Sequence, residues 1–189
     1  PEFAGASAAG DFGFTTGPFN GDGAAFGYYF TVWRKQANGD WRWIYDGGVD
    51  TQAPTTIDPA FNVATIAPSS GGEETDRIAR VAVATLEAGL AVSAAIDAPA
   101  SLAAQFAPIA RMHRQDQPPA IGNSAIAAAL GNGPAQITFS QITSYASANG
   151  DMVFTLGDAT WDGGKGIYGR IWSHGAKGWR IVFDQIVLR

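Results

Sequence analysis

Hydrophobic positions along the chain follow two different periods. Over 73–96 they recur at helical spacing: Ile78, Val81, Ala82, Thr85, Leu86 and Gly89 lie three or four residues apart or adjoin, and the alanine-rich continuation has good helix propensity. Glu73, Glu74 and Asp76 place negative charge in the first turn, where the helix dipole favours it. From residue 136 the period shortens to two, with Ile137, Phe139 and Ile142 interleaved with polar residues, as in a half-buried strand. Turn signals then cut the rest into a three-stranded antiparallel meander. Asn149-Gly150-Asp151 opens it, Asp162-Gly163-Gly164-Lys165 and a turn over 174–178 divide it, and its last two strands fall at 166–173 and 179–188. Between the long helix and this sheet, Asp97-Ala98-Pro99 starts a short helix reaching about Phe106, and 108–114 is a short strand. Gln117-Pro118-Pro119 is a turn, and 123–130 a third helix ended by Gly131.

The meander has a second copy near the other end of the chain. Gly10-Asp11-Phe12-Gly13-Phe14-Thr15-Thr16-Gly17 reads against Gly150-Asp151-Met152-Val153-Phe154-Thr155-Leu156-Gly157. Gly27, Tyr29 and Trp33 match Gly166, Tyr168 and Trp172, and Trp41-Arg42 with Asp46 match Trp179-Arg180 with Asp184. The offset shrinks by one residue at each of two hairpin turns. A period this long marks tandem domains, not solenoid units, whose periods run roughly 20–50 residues. Residues 1–50 hold the first copy, with turns at Asn20-Gly21-Asp22-Gly23 and Asn38-Gly39-Asp40. Residues 51–72 carry Pro54, Pro59 and Pro68 and close on Ser69-Ser70-Gly71-Gly72, the composition of an extended linker that Phe61, Val63 and Ile66 pin to a surface. Residues 73–189 form the second unit. Both faces of its meander carry large apolar groups, so neither can be left in water at low cost.

Composition narrows the class. With 189 residues, 46% of them hydrophobic and 12% aromatic, the chain can bury a core and has room for one large or two small domains. A formal charge of −5 and scattered Lys and Arg argue against a nucleic-acid surface. No apolar run approaches the ~20 residues of a membrane span, and no signal peptide stands at its start. Lack of cysteine excludes disulfides and thiolate chemistry and suits a cytoplasmic or an exported, periplasmic protein equally, so the compartment stays open. The start at Pro1 without Met is that expected of a processed or incomplete product.

Helices followed by a run of antiparallel strands read as α+β, with the helices packed on one face of the sheet. Residues 73–189 resemble the nuclear transport factor 2-like superfamily, a cystatin-like α+β fold that includes SnoaL-like polyketide cyclases and ketosteroid isomerase, and are most similar to an uncharacterised bacterial branch. The residues carrying the resemblance are Pro118-Pro119-Ala120-Ile121-Gly122, Gly150-Asp151, Thr155 with Gly157, Tyr168, Arg170 and Trp172 after Gly166, and Trp179-Arg180 with Asp184. It implies a cone-shaped fold, helices packed on a curved antiparallel sheet, preceded by a three-stranded half-copy that matches only the strand-rich second half of such a domain. It further implies that the half-copy packs back to back on the second sheet, copying within one chain the dimer that related domains form. The half-copy's other side would be closed by residues outside this chain, by the linker or by another protomer.

The resemblance also places a pocket between helices and sheet, where related enzymes use an Asp or an Asp/His pair. His113, near Arg111, Arg114 and Asp116, falls at the expected pocket mouth; His113 and Asp116 are the acid–base candidates, against a reading as a solvated polar loop. His174, beside Gly175, reads as an idle turn residue. Strand alternation puts Tyr168, Arg170 and Trp172 on one face; with Trp172 opposite Arg180, Val182 and Asp184 share it and Arg170 reaches Asp184. Arg111, His113, Tyr168, Arg170, Trp172 and Asp184 are therefore the ligand-binding candidates, with a structural ion pair in the sheet as the competing reading. No spacing of His or Cys suggests a metal site, and no cofactor is expected. The Gly-rich stretches lack a phosphate loop's strand-to-helix context, and no Gly-x-Ser-x-Gly elbow occurs. Two functions remain: a binding or assembly module holding a small apolar or carboxylate-bearing ligand, and a cofactor-independent isomerase, cyclase or dehydratase.

Overall fold

The computed structural model of the chain describes residues 1–21, 26–52, 62–69 and 75–189. Within them the elements run β1 (Phe3–Ala6), β2 (Phe12–Asn20), β3 (Phe26–Lys35), β4 (Trp41–Asp50), β5 (Ala64–Ile66), α1 (Asp76–Ala94), α2 (Ala98–Ala103), β6 (Phe106–Arg114), β7 (Ala120–Ile121), α3 (Gly122–Gly131), β8 (Thr138–Ala146), β9 (Met152–Trp161), β10 (Gly164–Gly175) and β11 (Gly178–Leu188). The expected Glu73 and Glu74, the prolines Pro54 and Pro59, Phe61, Ser70-Gly71-Gly72 and the Asp22-Gly23 half of the Asn20-Gly21-Asp22-Gly23 turn lie outside the described residues. The start of α1 is instead legible at Thr75, whose side chain accepts the Ile78 N–H at 3.2 Å.

Two sheets form. The first has strand order β4-β3-β2-β1-β5 and the second β7-β6-β11-β10-β9-β8. Helices cover one face of the second sheet, around Ala79, Val83, Leu90, Leu102, Phe106, Ile126, Leu130, Trp172 and Ile181. The first sheet covers its other face, joining Phe3, Phe12, Phe14, Phe30 and Val32 to Met152, Phe154, Ile171, Val182 and Phe183. Ring centroids of Phe30 and Phe183 lie 4.3 Å apart and those of Tyr45 and Phe154 5.1 Å. Fully burying each such side chain contributes about 1.5–3 kcal/mol. Because both faces are covered, β11 is buried almost continuously instead of alternately.

The cone-shaped, curved sheet implied by the resemblance is not what the chain forms. Among the described residues both sheets are open, β4 and β5 bounding one and β7 and β8 the other, neither curling nor closing on itself. The face-to-face layer of aromatic rings explains this, since two sheets stack at about 10 Å only where their surfaces stay matched along the strands. The first sheet is also five-stranded, not a three-stranded half-copy: β1 pairs antiparallel with β2, and β5, from the segment read as linker, adds parallel to β1 and buries Ile66.

One set of hydrogen bonds occurs twice. Ser7 donates its hydroxyl to Asp11 at 2.9 Å and Ser147 donates to Asp151 at 2.7 Å, across turns whose Gly10 and Gly150 take the left-handed conformation. The second oxygen of each carboxylate crosses to the other turn: the Ala8 N–H donates to Asp151 at 2.8 Å, and the Ala148 N–H to Asp11 at 2.9 Å. Each turn thus satisfies a donor of the other. Asp151→Ala, which strands a buried hydroxyl and the Ala8 N–H, is expected to cost about 2 kcal/mol in urea denaturation, and the more exposed Asp11→Ala about 1 kcal/mol. An unchanged midpoint for Asp151→Ala would contradict this role.

Candidate functional site

The helix-covered face of the second sheet is polar at its centre. Arg170 on β10 and Asp184 on β11 are register partners, and the Arg170 Nε donates to Asp184 Oδ1 at 2.5 Å. The Arg170 Nη1 donates to Glu87 Oε2 on α1 at 2.7 Å, and Arg114 Nη2 on β6 donates to Asp184 Oδ2 at 2.5 Å. Glu87 Oε1 also accepts the Thr155 hydroxyl at 2.7 Å and the Trp172 indole N–H at 2.8 Å. Four charges thus alternate in sign from α1 across β10 and β11 to β6. The guanidinium of Arg170 lies against Tyr168 and Phe139, 4.1 and 4.2 Å from the ring centroids, which compensates in part for a buried Nη2 without a hydrogen-bond partner.

Burial opposes charge on Arg170, but Glu87 and Asp184 outweigh it and hold its pKa above the ordinary value. Asp184 resists protonation for the converse reason: burial raises its pKa, while Arg114 and Arg170 lower it further. Burial, then the Glu87 carboxylate, raises Tyr168 well above the usual phenol range. Both carboxylates are engaged by cations, and Arg170 is fully buried.

The remaining sequence candidates go elsewhere. On β6, Ala110 and Met112 face the helices, so Arg111 and His113 face the first sheet. Arg111 lies 3.6 Å from Glu2 and over the Phe3 ring, while His113 sits between Tyr28 and Phe183 at centroid distances of 5.2 and 4.9 Å. Asp116 is exposed in a turn with φ 56°, its N–H bonded to the Asp50 carbonyl at the end of β4. A bulge shifts the register between Ile171 and Trp172, so Trp172 faces Ile181 and Ser173 faces Arg180; Val182 turns into the inter-sheet core with Phe183. Tyr168, Arg170, Trp172 and Asp184 thus come together, apart from Arg111, His113 and Asp116.

Sequence reading missed Glu87. The apolar stripe expected on α1 is rotated: Ile78 and Val81 are exposed, whereas Ala79, Val83, Glu87, Leu90 and Ala94 are buried. The signal available was the 79-83-87-90-94 spacing, on which one charged residue interrupts a small apolar stripe. At the end of the chain of charges, a cleft of about 390 Å³ opens between α2, α3 and the ends of β6 and β11. Leu102, Met112, Leu130, Ile137 and Ile186 line it, and among the described residues Arg114 brings the one basic and Asp162 the one acidic side chain to its wall. A second cleft, of about 320 Å³, lies between α1 and β8, bordered by Glu87, Phe139, Gln141 and Tyr168. Among the described residues no group of three or more His, Cys, Asp or Glu could hold a metal ion, and no helix is long and apolar enough to cross a membrane.

Burial, reinforced by the cations of Arg111 and Arg114, pushes His113 down to about 3. As pH falls below the unfolded value of about 6.5, the unfolded chain takes up a proton that the folded chain refuses. This residue's contribution to stability is therefore complete above that pH and is lost progressively down to about pH 3. In urea unfolding across pH 7 to 4, His113→Phe is expected to gain on the wild type by up to about 1.4 kcal/mol per pH unit. Parallel pH profiles would contradict the buried neutral imidazole.

No family model matches the chain, and no curated protein matches it. Solved structures do. The chain is similar to a protein of unknown function with a cystatin-like fold from Nostoc punctiforme, at 14% identity and TM-score 0.49, covering 61% of this chain and 95% of that one. It is similar to nuclear transport factor 2 from Cryptosporidium parvum, at 15% identity and TM-score 0.48, covering 62% and 99%. A nuclear transport factor 2-like protein of unknown function from Pseudomonas putida gives 15% identity and TM-score 0.49 over 59% and 87%. At such identities and TM-scores the likeness says nothing of what this chain binds.

Proposed function

We propose that the chain is a non-catalytic binding module whose helix-side cleft holds a small, largely apolar molecule with one polar end, a carboxylate or carbonyl. The observation that carries this reading is the cleft of about 390 Å³, walled by Leu102, Met112, Leu130, Ile137 and Ile186 with Arg114 at one side. Mostly apolar walls with a few placed polar groups, here Arg114, already paired with Asp184, together with Gln115, Gln117 and Asp162, are the usual make-up of a small-molecule site. Arg170, Trp172 and Asp184, by contrast, are engaged with one another, Glu87 and Arg114, and in this reading they are a strut between helix and sheet. An acid–base role for His113 and Asp116 gains no support from their positions in the inter-sheet contact and in an exposed turn.

In the same proposal, residues 1–50 and 73–189 are two related units joined by 51–72, arranged as an internal pseudo-dimer. Support comes from the reciprocal Ser–Asp turns and from bulges at equivalent places, between Val32 and Trp33 and between Ile171 and Trp172.

The chain has two methionines, and they divide the test cleanly. Met112 lines the cleft, whereas Met152 lies in the inter-sheet core. Titrating decanoate into protein labelled at its methionine methyl groups is expected to shift the Met112 signal and leave Met152 in place. Ala129→Trp, placed in the cleft wall, should weaken the effect about tenfold. A Met112 signal unmoved up to millimolar decanoate would remove the reading.

A further inference from the structure

The two charged side chains on the wall of the helix-side cleft stand in opposite situations. Arg114 donates its Nη2 to Asp184 at 2.5 Å and its Nη1 to the His113 carbonyl at 2.8 Å. It ends a chain of two cations and two anions, Glu87, Arg170, Asp184 and Arg114, whose charges sum to zero. What it adds to the wall is therefore a set of N–H donors and not an unmatched charge. Asp162 is the reverse. It is exposed, and it joins none of the ion pairs formed among the described residues. Lys165, three positions further on, does not line the cleft. The unanswered charge at this cleft is thus negative.

Local structure holds that charge beside an aromatic ring. Trp161 and Gly164 are register partners, so Asp162 and Gly163 are the two central residues of the β9–β10 hairpin, with Gly163 in the left-handed conformation at φ 79°. A Cβ on Gly164 would meet the Trp161 indole nitrogen at 2.6 Å, and without it the indole lies across the start of β10, half-buried against the helix-side core. Trp161 and Asp162 both line the cleft. A carboxylate attracts a cation through its charge and an indole through its electron-rich face, so the pair favours a cation over any other group. Arg114 stands away from this end. It lies opposite Ile186, which lies opposite Tyr168, and Gly164 begins β10 four residues before Tyr168. At strand spacings the backbones of Arg114 and the hairpin turn are roughly 16 Å apart.

We infer that the ligand of this cleft carries an ammonium group, held at Asp162 and Trp161, at the far end of its apolar body from the carboxylate or carbonyl that meets Arg114. The class is an elongated amphiphilic amine, apolar in the middle and polar at both ends. This rests on the reading of the cleft as a ligand site and adds the charge that selects among ligands of similar length. The formal charge of −5 on the chain also favours the approach of a cationic end. Leu102, Met112, Leu130 and Ile186 supply the apolar wall along which the body lies.

The probes 10-aminodecanoate and 10-hydroxydecanoate are matched in length and differ in the charge at the far end. Titrated into the full chain labelled at its methionine methyl groups, the amine is expected to half-shift the Met112 signal at a concentration about fivefold lower than the alcohol. Asp162→Asn removes the charge but keeps a residue suited to the first central position of this turn, so the hairpin is retained and the two probes should bind equally. Equal affinities in the wild type would overturn the inference while leaving the cleft a ligand site. A preference for the amine that survives Asp162→Asn would overturn it too, as would movement of Met112 by decanoate alone. If none of the three compounds moves Met112 up to millimolar concentration, the cleft reading falls and this inference falls with it.

Discussion

A carboxylate buried in an alanine-rich helix is the constraint on which the helical side of this molecule depends. Taking a charge out of water costs several kcal/mol, and Glu87, at 3% exposure, recovers that cost only through Arg170, Thr155 and Trp172 together. Those three residues sit on β9 and β10, so α1 has one rotation and one height at which all the bonds are made. The rotation turns Ile78, Val81 and Val92 out to solvent, against the preference of their side chains, and puts alanines inward. Small inward residues bring the helix close, which is what lets a Glu side chain reach the sheet. Through Arg170 the constraint passes to Asp184 and Arg114, and so to the wall of the cleft. The middle of the helix–sheet space is thereby occupied largely by paired side chains, beside the small cleft between α1 and β8, and more room for a ligand remains where α2 and α3 end the layer.

On the opposite face the second sheet meets aromatic rings in place of a helix. Phe14, Phe30 and Tyr45 stack on Phe154 and Phe183, and the crossed bonds of Asp11 and Asp151 hold the two turns at one end of the contact. His113 belongs to this layer. Its imidazole is kept neutral between Tyr28 and Phe183, with two cations nearby, and that environment suits packing better than proton transfer near neutral pH.

Much of this was legible in the residues. Turn signals such as Asn149-Gly150-Asp151 and Asn38-Gly39-Asp40 sit at the observed hairpins, and strand alternation put Arg170 and Asp184 on one face, although it is the unforeseen bulge that makes them register partners. The phase of β6 was not legible, because its alternation runs through Pro108 and carries polar residues on both faces; only the covering sheet decides that Arg111 and His113 belong to the inter-sheet side. The bulge at Val182 was hidden for a similar reason, as an apolar residue is accepted by either core. Glu87 was missed because a charge on a helix reads as solvated until its buried partners are known. The open shape of the sheets and the addition of β5 depend on contacts between distant segments, which no local pattern records.

The measurement that tests this account most directly is the stability of Glu87→Ala in guanidinium denaturation, with hydrogen exchange along α1 followed in parallel. If Glu87 is the strut described, the variant leaves Arg170 buried beside one carboxylate instead of two, and is predicted to lose about 3–5 kcal/mol, with early loss of protection in α1. A variant as stable as the wild type, or more stable, would contradict it. That result would mean that the buried charges are held against stability, as groups kept for a ligand are, and the site would move from the cleft to the centre of the sheet.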